Sequence, residues 1–456
     1  MTSPSPLIPQ FGTDGVRGLA NVEVTAEYAL AFGRAVARVL SPRQVVVGRD
    51  TRQSGTMLEG ALCAGLGAEG VDVRLLGVCP TPAVAFASAT SAVPGVMISA
   101  SHNPFPDNGL KVFAAGGLKL SDAQEASFGS VLGPLLHGVL GNAAARPEEG
   151  SRIRVGTVAA DGQGLRGYVE HLIASIEGRR LEGLPVVIDC ANGAAYEVAP
   201  RVLRSLGVEL VVLANRPDGT NINAGCGSTH LQTLAATVVE RGAALGLAFD
   251  GDADRVLAVD HRGLLVDGDQ LIGMCALDRH RRGRLAGDRV VVTVMTNLGF
   301  RVGMQRHGIG VVETAVGDRY VLEALEAEGL SLGGEQSGHL IFRDLASTGD
   351  GVLSAVQILD LCCRSGRTLA ELAEEAMIRL PQVLRNVVVV GRAERVVTAM
   401  ADQIAAVSSR LGLTGRVLVR PSGTEPLVRI MAEAPELAAA EAAVEELVAA
   451  AAAALA

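Results

Sequence analysis

The sequence predicts an α/β protein: three related α/β domains with mixed, mostly parallel sheets, plus a C-terminal α+β domain, around a central cleft. Three observations predict it. A strand–loop–helix–strand grammar recurs three times, at intervals of roughly a hundred residues, which marks an internal repeat. The strands are unbroken apolar runs, as parallel strands covered by helices must be. At 456 residues the chain is too long for one core and divides by size into about three or four domains.

The first copy runs Gln44-Val45-Val46-Val47-Gly48-Arg49-Asp50, a helix to about Gly70, then a strand from Val71 to Leu76. The second runs Pro185-Val186-Val187-Ile188-Asp189-Cys190-Ala191-Asn192-Gly193, a helix through Leu206-Gly207, then Val208 to Leu213. The third runs from Arg289 to Asn297, a helix to about Gly308, then Ile309 to Glu313. In the tail, helices over Thr368–Leu380 and Val396–Leu411 alternate with strands Val387–Val390, Arg416–Arg420 and Leu427–Ala432, and an alanine- and glutamate-rich helix closes the chain. Domain boundaries at 1–145, 146–255, 256–367 and 368–456 follow, with a Gly/Ala/Arg/Pro-rich linker around Gly138–Gly150.

Composition narrows the function. With 48% hydrophobic and 20% charged residues the chain is globular rather than disordered. Its positive mean hydropathy comes from alanine and valine; the apolar run from Leu447 to Ala456 falls short of the ~20 residues of a transmembrane helix. Met1 to Gln10 has neither a charged nor an apolar leader region, so a cytoplasmic location is expected. A net charge of −9 and a pI near 5.5 argue against a nucleic-acid surface. The basic cluster Arg279-His280-Arg281-Arg282-Gly283-Arg284 has no aromatic neighbours and reads as a solvated loop. The seven cysteines (63, 79, 190, 226, 275, 362, 363) show no C-x-x-C spacing and read as reduced and mostly buried. Gly65-Leu66-Gly67-Ala68-Glu69-Gly70 matches the dinucleotide G-x-G-x-x-G, but it ends a helix instead of opening one, so that reading fails. Neither lysine lies in a Walker A context.

Chemistry is concentrated in a few loops. Val96-Met97-Ile98 is a buried strand that breaks into Ser99-Ala100-Ser101-His102-Asn103-Pro104 and then Asp107-Asn108-Gly109-Leu110-Lys111. Ser101 therefore sits on a tight loop at a strand's carboxyl end, where open α/β sheets bind ligands. Lys111 and Lys119 are the only lysines in the chain. Unlike arginine, a lysine can have its pKa lowered and exchange a proton, so one placed ten residues after the serine suggests acid/base work. Turn hydrogen bonds before Pro104 and a surface charge at Lys111 are the plain alternative.

After the apolar strand Leu245–Phe249 comes Asp250-Gly251-Asp252-Ala253-Asp254-Arg255. Three carboxylates at alternate positions, separated only by Gly and Ala, repel one another and ask for a hard cation such as Mg²⁺. An EF-hand would need other residues at Arg255 and His261. Gly333-Gly334-Glu335-Gln336-Ser337-Gly338-His339 follows a short strand; Glu335 and Ser337 suit sugar hydroxyls, and the glycines allow close backbone approach. Arg420-Pro421-Ser422-Gly423-Thr424-Glu425-Pro426, with Arg429 nearby, forms a phosphate-cradling turn between two strands. Phe11-Gly12-Thr13-Asp14-Gly15-Val16-Arg17-Gly18 is another glycine-rich loop, delivering Arg17. A serine able to carry phosphate, a metal site, an amine, an anion cradle and a polyol-reading loop together meet the needs of phosphoryl transfer on a phosphosugar.

These motifs, with Val316–Val321 (VGDRYV), stand in order along essentially the whole chain, which resembles the α-D-phosphohexomutases. The resemblance implies that Ser101 is a phosphoserine whose phosphate joins Asp250, Asp252 and Asp254 on one Mg²⁺. It places Lys111 and His339 among proton-transfer or phosphate-contacting groups, with Arg17, His102 and Arg255 around the serine. Glu335 and Ser337 would hold sugar hydroxyls, while Arg420, Ser422, Gly423, Thr424 and Arg429 would bind the substrate's phosphate. The implied reaction converts glucosamine 6-phosphate to glucosamine 1-phosphate through a 1,6-bisphosphate that turns over in the cleft, feeding UDP-N-acetylglucosamine and cell-wall precursor synthesis. Glucose or mannose phosphates are the nearest alternative substrates; Gln336 is a local difference from relatives with Met there. A non-catalytic phosphosugar-binding protein is the rival from another class. A serine hydrolase is a poorer one, because no G-x-S-x-G elbow is present. The implied partner is a small phosphosugar, not nucleic acid or membrane, with the chain as monomer or homodimer.

Overall fold

The computed structural model describes residues 9, 11–12, 15–140, 154–389, 393–421 and 427–455. They form two compact units, residues 1–294 with 312–373 and residues 295–311 with 374–456.

The first sheet contains β1 (Val16–Leu19), β2 (Gln44–Arg49), β3 (Asp72–Val78), β4 (Gly95–Ile98), β5 (Asp107–Ala114), β6 (Leu118–Lys119) and β7 (Val158–Ala160). Its spatial order is β1-β5-β4-β2-β3-β7, with β6 pairing β5. The second contains β8 (Pro185–Asp189), β9 (Glu209–Leu213), β10 (Leu245–Phe249), β11 (Val256–Asp260) and β12 (Leu265–Val266), in the order β12-β11-β10-β8-β9. The third contains β13 (Arg289–Thr293), β14 (Gly310–Thr314), β15 (Leu332–Gly334) and β16 (Leu340–Phe342), in the order β14-β13-β15-β16.

The repeat is literal. In each sheet the β3-β2-β4-β5 order recurs, as β9-β8-β10-β11 and as β14-β13-β15-β16. The first and third strands of each set run parallel, and the fourth turns back antiparallel on the third. Helices Gly55–Ala68, Ala195–Ser205 and Leu298–Arg306 follow the first strands; Thr81–Ser91, Gln232–Arg241 and Asp318–Glu328 follow the second. The Ser101, Asp250–Asp254 and Glu335–His339 loops thus occupy one topological place: the turn from third strand to fourth. There the last parallel strand releases its chain, at the sheet edge where open α/β folds bind ligands.

Packing explains the rejected dinucleotide match. Helix Ala26–Leu40, whose first turn is capped by Thr25 accepting from the Tyr28 amide at 3.2 Å, lies against Gly55–Ala68. A Cβ on Gly33 would stand 2.4 Å from the Leu62 carbonyl oxygen, and one on Gly65 2.2 Å from that of Leu30. These glycines let two helices touch backbone to backbone. Phe32, Leu58, Leu62 and Leu66 fill the core beside them.

The second unit carries β17 (Gln382–Val388), β18 (Arg416–Pro421) and β19 (Leu427–Glu433), all antiparallel in the order β17-β19-β18. Val407, Val428, Ile430, Val444 and Leu447 join sheet to helices in one core. β17 starts five residues before the strand expected at Val387. The helix expected over Val396–Leu411 is two, Ala393–Ala399 and Ala401–Leu411, and the break turns Met400 into the core at 1% exposure. The helix expected to reach Leu380 is Leu369–Ala376; the carbonyls of Ala376 and Ile378 then meet Gly303 and Gly299 of helix Leu298–Arg306 too closely for any Cβ. Glu433, fully buried, accepts from the Leu298 amide at 2.9 Å, Gln382 Nε2 at 2.9 Å and Arg416 Nε at 2.7 Å, so its charge is paired and hydrogen-bonded as burial requires. Of the expected linker, Gly138–Leu140 ends helix Asp122–Leu140 and the rest lies outside the described residues. All seven cysteines are free and only Cys363 is exposed. No helix among the described residues is long and apolar enough to cross a membrane.

Two glycines of one helix should respond oppositely to alanine. Gly60 faces open space, so Gly60→Ala is expected to stabilise by ~0.5–1 kcal/mol. Gly65→Ala is expected to destabilise by ~1–3 kcal/mol through overpacking. Denaturant unfolding of the two variants checks the sign of each.

Candidate active site

Ser101 stands at the end of β4 with φ 51°, a left-handed conformation that costs a non-glycine residue about 1–2 kcal/mol. The surroundings offset that cost. Its amide donates to Ser99 Oγ at 2.9 Å, and its carbonyl accepts from Arg52 Nη2 and Asn223 Nδ2, each at 2.9 Å. Its Oγ donates to Asp250 Oδ2 at 2.7 Å and lies 3.3 Å from His102 Nδ1. The side chain is 1% exposed.

One carboxylate oxygen from each of Asp250, Asp252 and Asp254 lies within 4.8 Å of the others, and all three residues are buried. Ala253, at φ 57°, bends the loop between the last two. Gly251 has no alternative: a Cβ there would stand 2.4 Å from the Ser101 carbonyl oxygen and 2.8 Å from Asn223 Nδ2. The serine loop and the aspartate loop therefore pack backbone on backbone. Asp252 Oδ2 accepts from Thr81 Oγ1 at 2.6 Å. Asp252 Oδ1 and Asp254 Oδ1 are buried and accept no hydrogen bond among the described residues. Buried acceptors without donors, packed with like charges, fit a hard divalent cation.

Electrostatics divides the trio. Burial first, then Asp254 and Asp252, push the Asp250 carboxyl well above the usual range. Burial also pushes Asp254 up, but Lys111, His339 and Arg255 hold it well below. Lys111, on β5 opposite Met97, reaches Asp254 Oδ2 at 3.4 Å. His339 Nδ1 is 3.7 Å from the same oxygen, and Nε2 is 3.6 Å from Asp318 Oδ2. The Gly349 amide donates to Nε2 at 3.1 Å, so the ring's first proton sits on Nδ1, toward Asp254. Burial lowers the His339 pKa, yet Asp254, Asp318 and Glu335 outweigh it and raise it. His102 is lowered, by burial first and then by the charges of Arg255 and Arg17. Arg255 Nε is 3.7 Å from Asp254 Oδ1. Arg17 lies on β1 opposite Gly109.

The third loop closes beside these groups. Glu335 Oε1 accepts from the Gly317 amide at 3.2 Å. The Gly338 carbonyl accepts from the Val256 amide at 3.0 Å, which ties the loop to the strand leaving the aspartates. Ser337 Oγ is buried without a hydrogen-bond partner among the described residues. Gln336 turns its amide to Asp267 Oδ2 at 3.5 Å.

The first unit thus brings together Ser101, His102, Lys111, the three aspartates, Arg255, Glu335 and His339. In the second unit, Arg420 and Arg429 face each other across β18 and β19. Burial first, then Arg429, lowers the Arg420 pKa; two facing cations suit an anion. Ser422, Gly423 and Thr424 lie outside the described residues.

Sequence reasoning missed Asp50, Arg52, Thr81, Asn223, Lys119 and Asp318. Lys119 Nζ pairs with Asp318 Oδ1, so both lysines of the chain are committed to ion pairs around this site. Asp50 and Arg52, two residues apart at the carboxyl end of an apolar strand, carried a usable signal. Asn223 carried none.

Four domain profiles match the chain. They are described as phosphoglucomutase/phosphomannomutase alpha/beta/alpha domains I, II and III and C-terminal domain, over residues 9–129, 166–263, 267–380 and 383–450. A phosphoglucosamine mutase of Rhodococcus opacus (strain B4) is 52% identical over 448 residues, covering 96% of this chain and 98% of its own. One of Frankia alni is 53% identical over 443 residues, covering 93% and 94%. A solved phosphoglucomutase/phosphomannomutase family protein of Burkholderia thailandensis superposes with TM-score 0.81 at 26% identity, covering 97% of each chain.

Gly251→Ala is expected to force the serine and aspartate loops apart and cost ~1–3 kcal/mol. Thermal unfolding measures the loss; a variant as stable as the parent would mean the loops can separate freely.

Proposed function

The chain belongs to the phosphoglucomutase/phosphomannomutase family, and from that premise we propose that it interconverts glucosamine 6-phosphate and glucosamine 1-phosphate. The observation that carries the reading is Ser101 Oγ, 2.7 Å from Asp250 in a ring of three buried carboxylates. A hydroxyl so placed is the phosphorus carrier of an intramolecular phosphotransferase, an enzyme of the isomerase class.

Ser101, carrying phosphate, passes the phosphoryl group to the free hydroxyl of the sugar phosphate. The bisphosphate reverses end for end, and Ser101 takes the other phosphate back. Lys111 and His339, flanking Asp254, move the hydroxyl proton or hold phosphate oxygens, while Arg17, His102 and Arg255 face the serine's phosphate. Glu335 and the unbonded hydroxyl of Ser337 hold the sugar ring. Arg420 and Arg429, with Ser422, Gly423 and Thr424, take the phosphate that is not reacting. Asp250, Asp252, Asp254 and the Ser101 phosphate would hold one Mg²⁺, which when bound neutralises charge on the transferring group. The four-domain division at residues 145, 255 and 367, a cytoplasmic location and a monomer or homodimer are parts of the same proposal.

Turnover of glucosamine 6-phosphate is expected to exceed that of glucose or mannose phosphates, and Ser101→Ala to lose roughly 10³-fold or more in kcat. A clear preference for glucose or mannose phosphates would reassign the substrate; full activity in Ser101→Ala would end the carrier role. For the metal, Mg²⁺ is expected to raise the thermal midpoint of the parent and not that of Asp252→Asn. An equal rise in both would place the ion elsewhere.

A further inference from the structure

We propose that Arg52 and Asn223 are positioning residues that clamp the carbonyls of the Ser101 loop and keep the serine aimed at the aspartates while its phosphate comes and goes. This rests on the carrier role proposed for Ser101.

Arg52 heads the fully buried side chains by size, at 1% exposure. A guanidinium there is tolerable only if every donor is used and the charge is paired. Nη2 donates to the carbonyls of Ser101 at 2.9 Å and Asn103 at 2.8 Å. Nη1 donates to those of Asp107, at 2.9 Å, and Pro104. Nε donates to Asp50 Oδ2 at 2.8 Å. Five N–H groups thus meet five acceptors, four of them main-chain oxygens of residues 101–107. Asp50 completes the grip from the other side: it accepts from Ser99 Oγ at 2.7 Å, and that oxygen accepts the Ser101 amide. Both the N–H and the C=O of Ser101 are therefore tied to one buried ion pair.

Asn223 repeats the grip from the second sheet's side of the site. It follows β9, adopts φ 58°, and its Nδ2 donates to the same Ser101 and Asn103 carbonyls at 2.9 Å each. Neither residue points a group at Oγ. Their effect on chemistry runs through the loop's position, and in-line transfer is sensitive to it. Lysine at position 52 would keep the charge but lose the fork, since an ammonium is a point donor.

Arg52→Lys and Asn223→Ala, in the full chain, test the clamp. Each is expected to lower kcat roughly 10- to 100-fold with KM changed less than about threefold, and to speed amide exchange across residues 99–107 while the rest of the chain exchanges as before. A residue that only supports the fold would raise exchange throughout and lower the midpoint without that kcat-against-KM split. If Arg52→Lys does not fold, Asn223→Ala decides alone. The clamp is overturned by kcat within about twofold of the parent in Asn223→Ala, by a loss confined to KM, or by unchanged exchange at 99–107. A parent that turns over no hexose phosphate overturns the mutase reading instead, and the exchange result still decides the clamp.

Discussion

Three buried carboxylates packed together, one of them holding a serine hydroxyl, are the constraint from which the rest of this structure follows. Like charges at such spacing drive one another apart, and burial strengthens the repulsion because little water screens it. Asp250 responds by holding its proton more tightly, while Asp254 is kept ionised by Lys111, His339 and Arg255. The cluster is an excess of negative charge built into the fold. Asp252 Oδ1 and Asp254 Oδ1 accept no hydrogen bond among the described residues.

Five of the eleven described non-glycine residues with positive φ lie near this cluster. Ser101, Ala191, Asn192, Asn223 and Ala253 are all left-handed without being glycine, and all lie in loops at strand ends around the serine and the aspartates. Such residues persist only where their neighbours over-determine them. Here the neighbours are Arg52, Asp50 and Ser99 on one side and Asn223 on the other. At Gly251 the two loops approach so closely that a single added carbon would meet the Ser101 carbonyl.

The internal repeat supplies the scaffold. Three sheets with the same strand order deliver their third-to-fourth turns, and each turn has taken on a different job. The first carries the hydroxyl, the second the carboxylates, the third Glu335 and Ser337, the residues proposed to hold the sugar. The antiparallel fourth strand sends each loop back into its own sheet, so the turn stays short.

The sequence by itself determined the fold class, the threefold repeat, the residue types that each loop carries and the rejection of the dinucleotide match, because these depend on periodicity and on residues adjacent in the chain. It also contained the helix-ending glycines, though not what they touch. Only the tertiary structure decided that Arg52 and Asn223, 49 and 122 residues from Ser101, grip one carbonyl. It alone brought Lys119 to Asp318, started β17 five residues earlier and split the helix at Met400. Hydrogen bonds to main-chain carbonyls leave no mark in the residue that accepts them, so the place of Arg52 at a strand end could mark it without saying what it grips. Contacts of that kind are set by how sheets pack, and packing is not periodic.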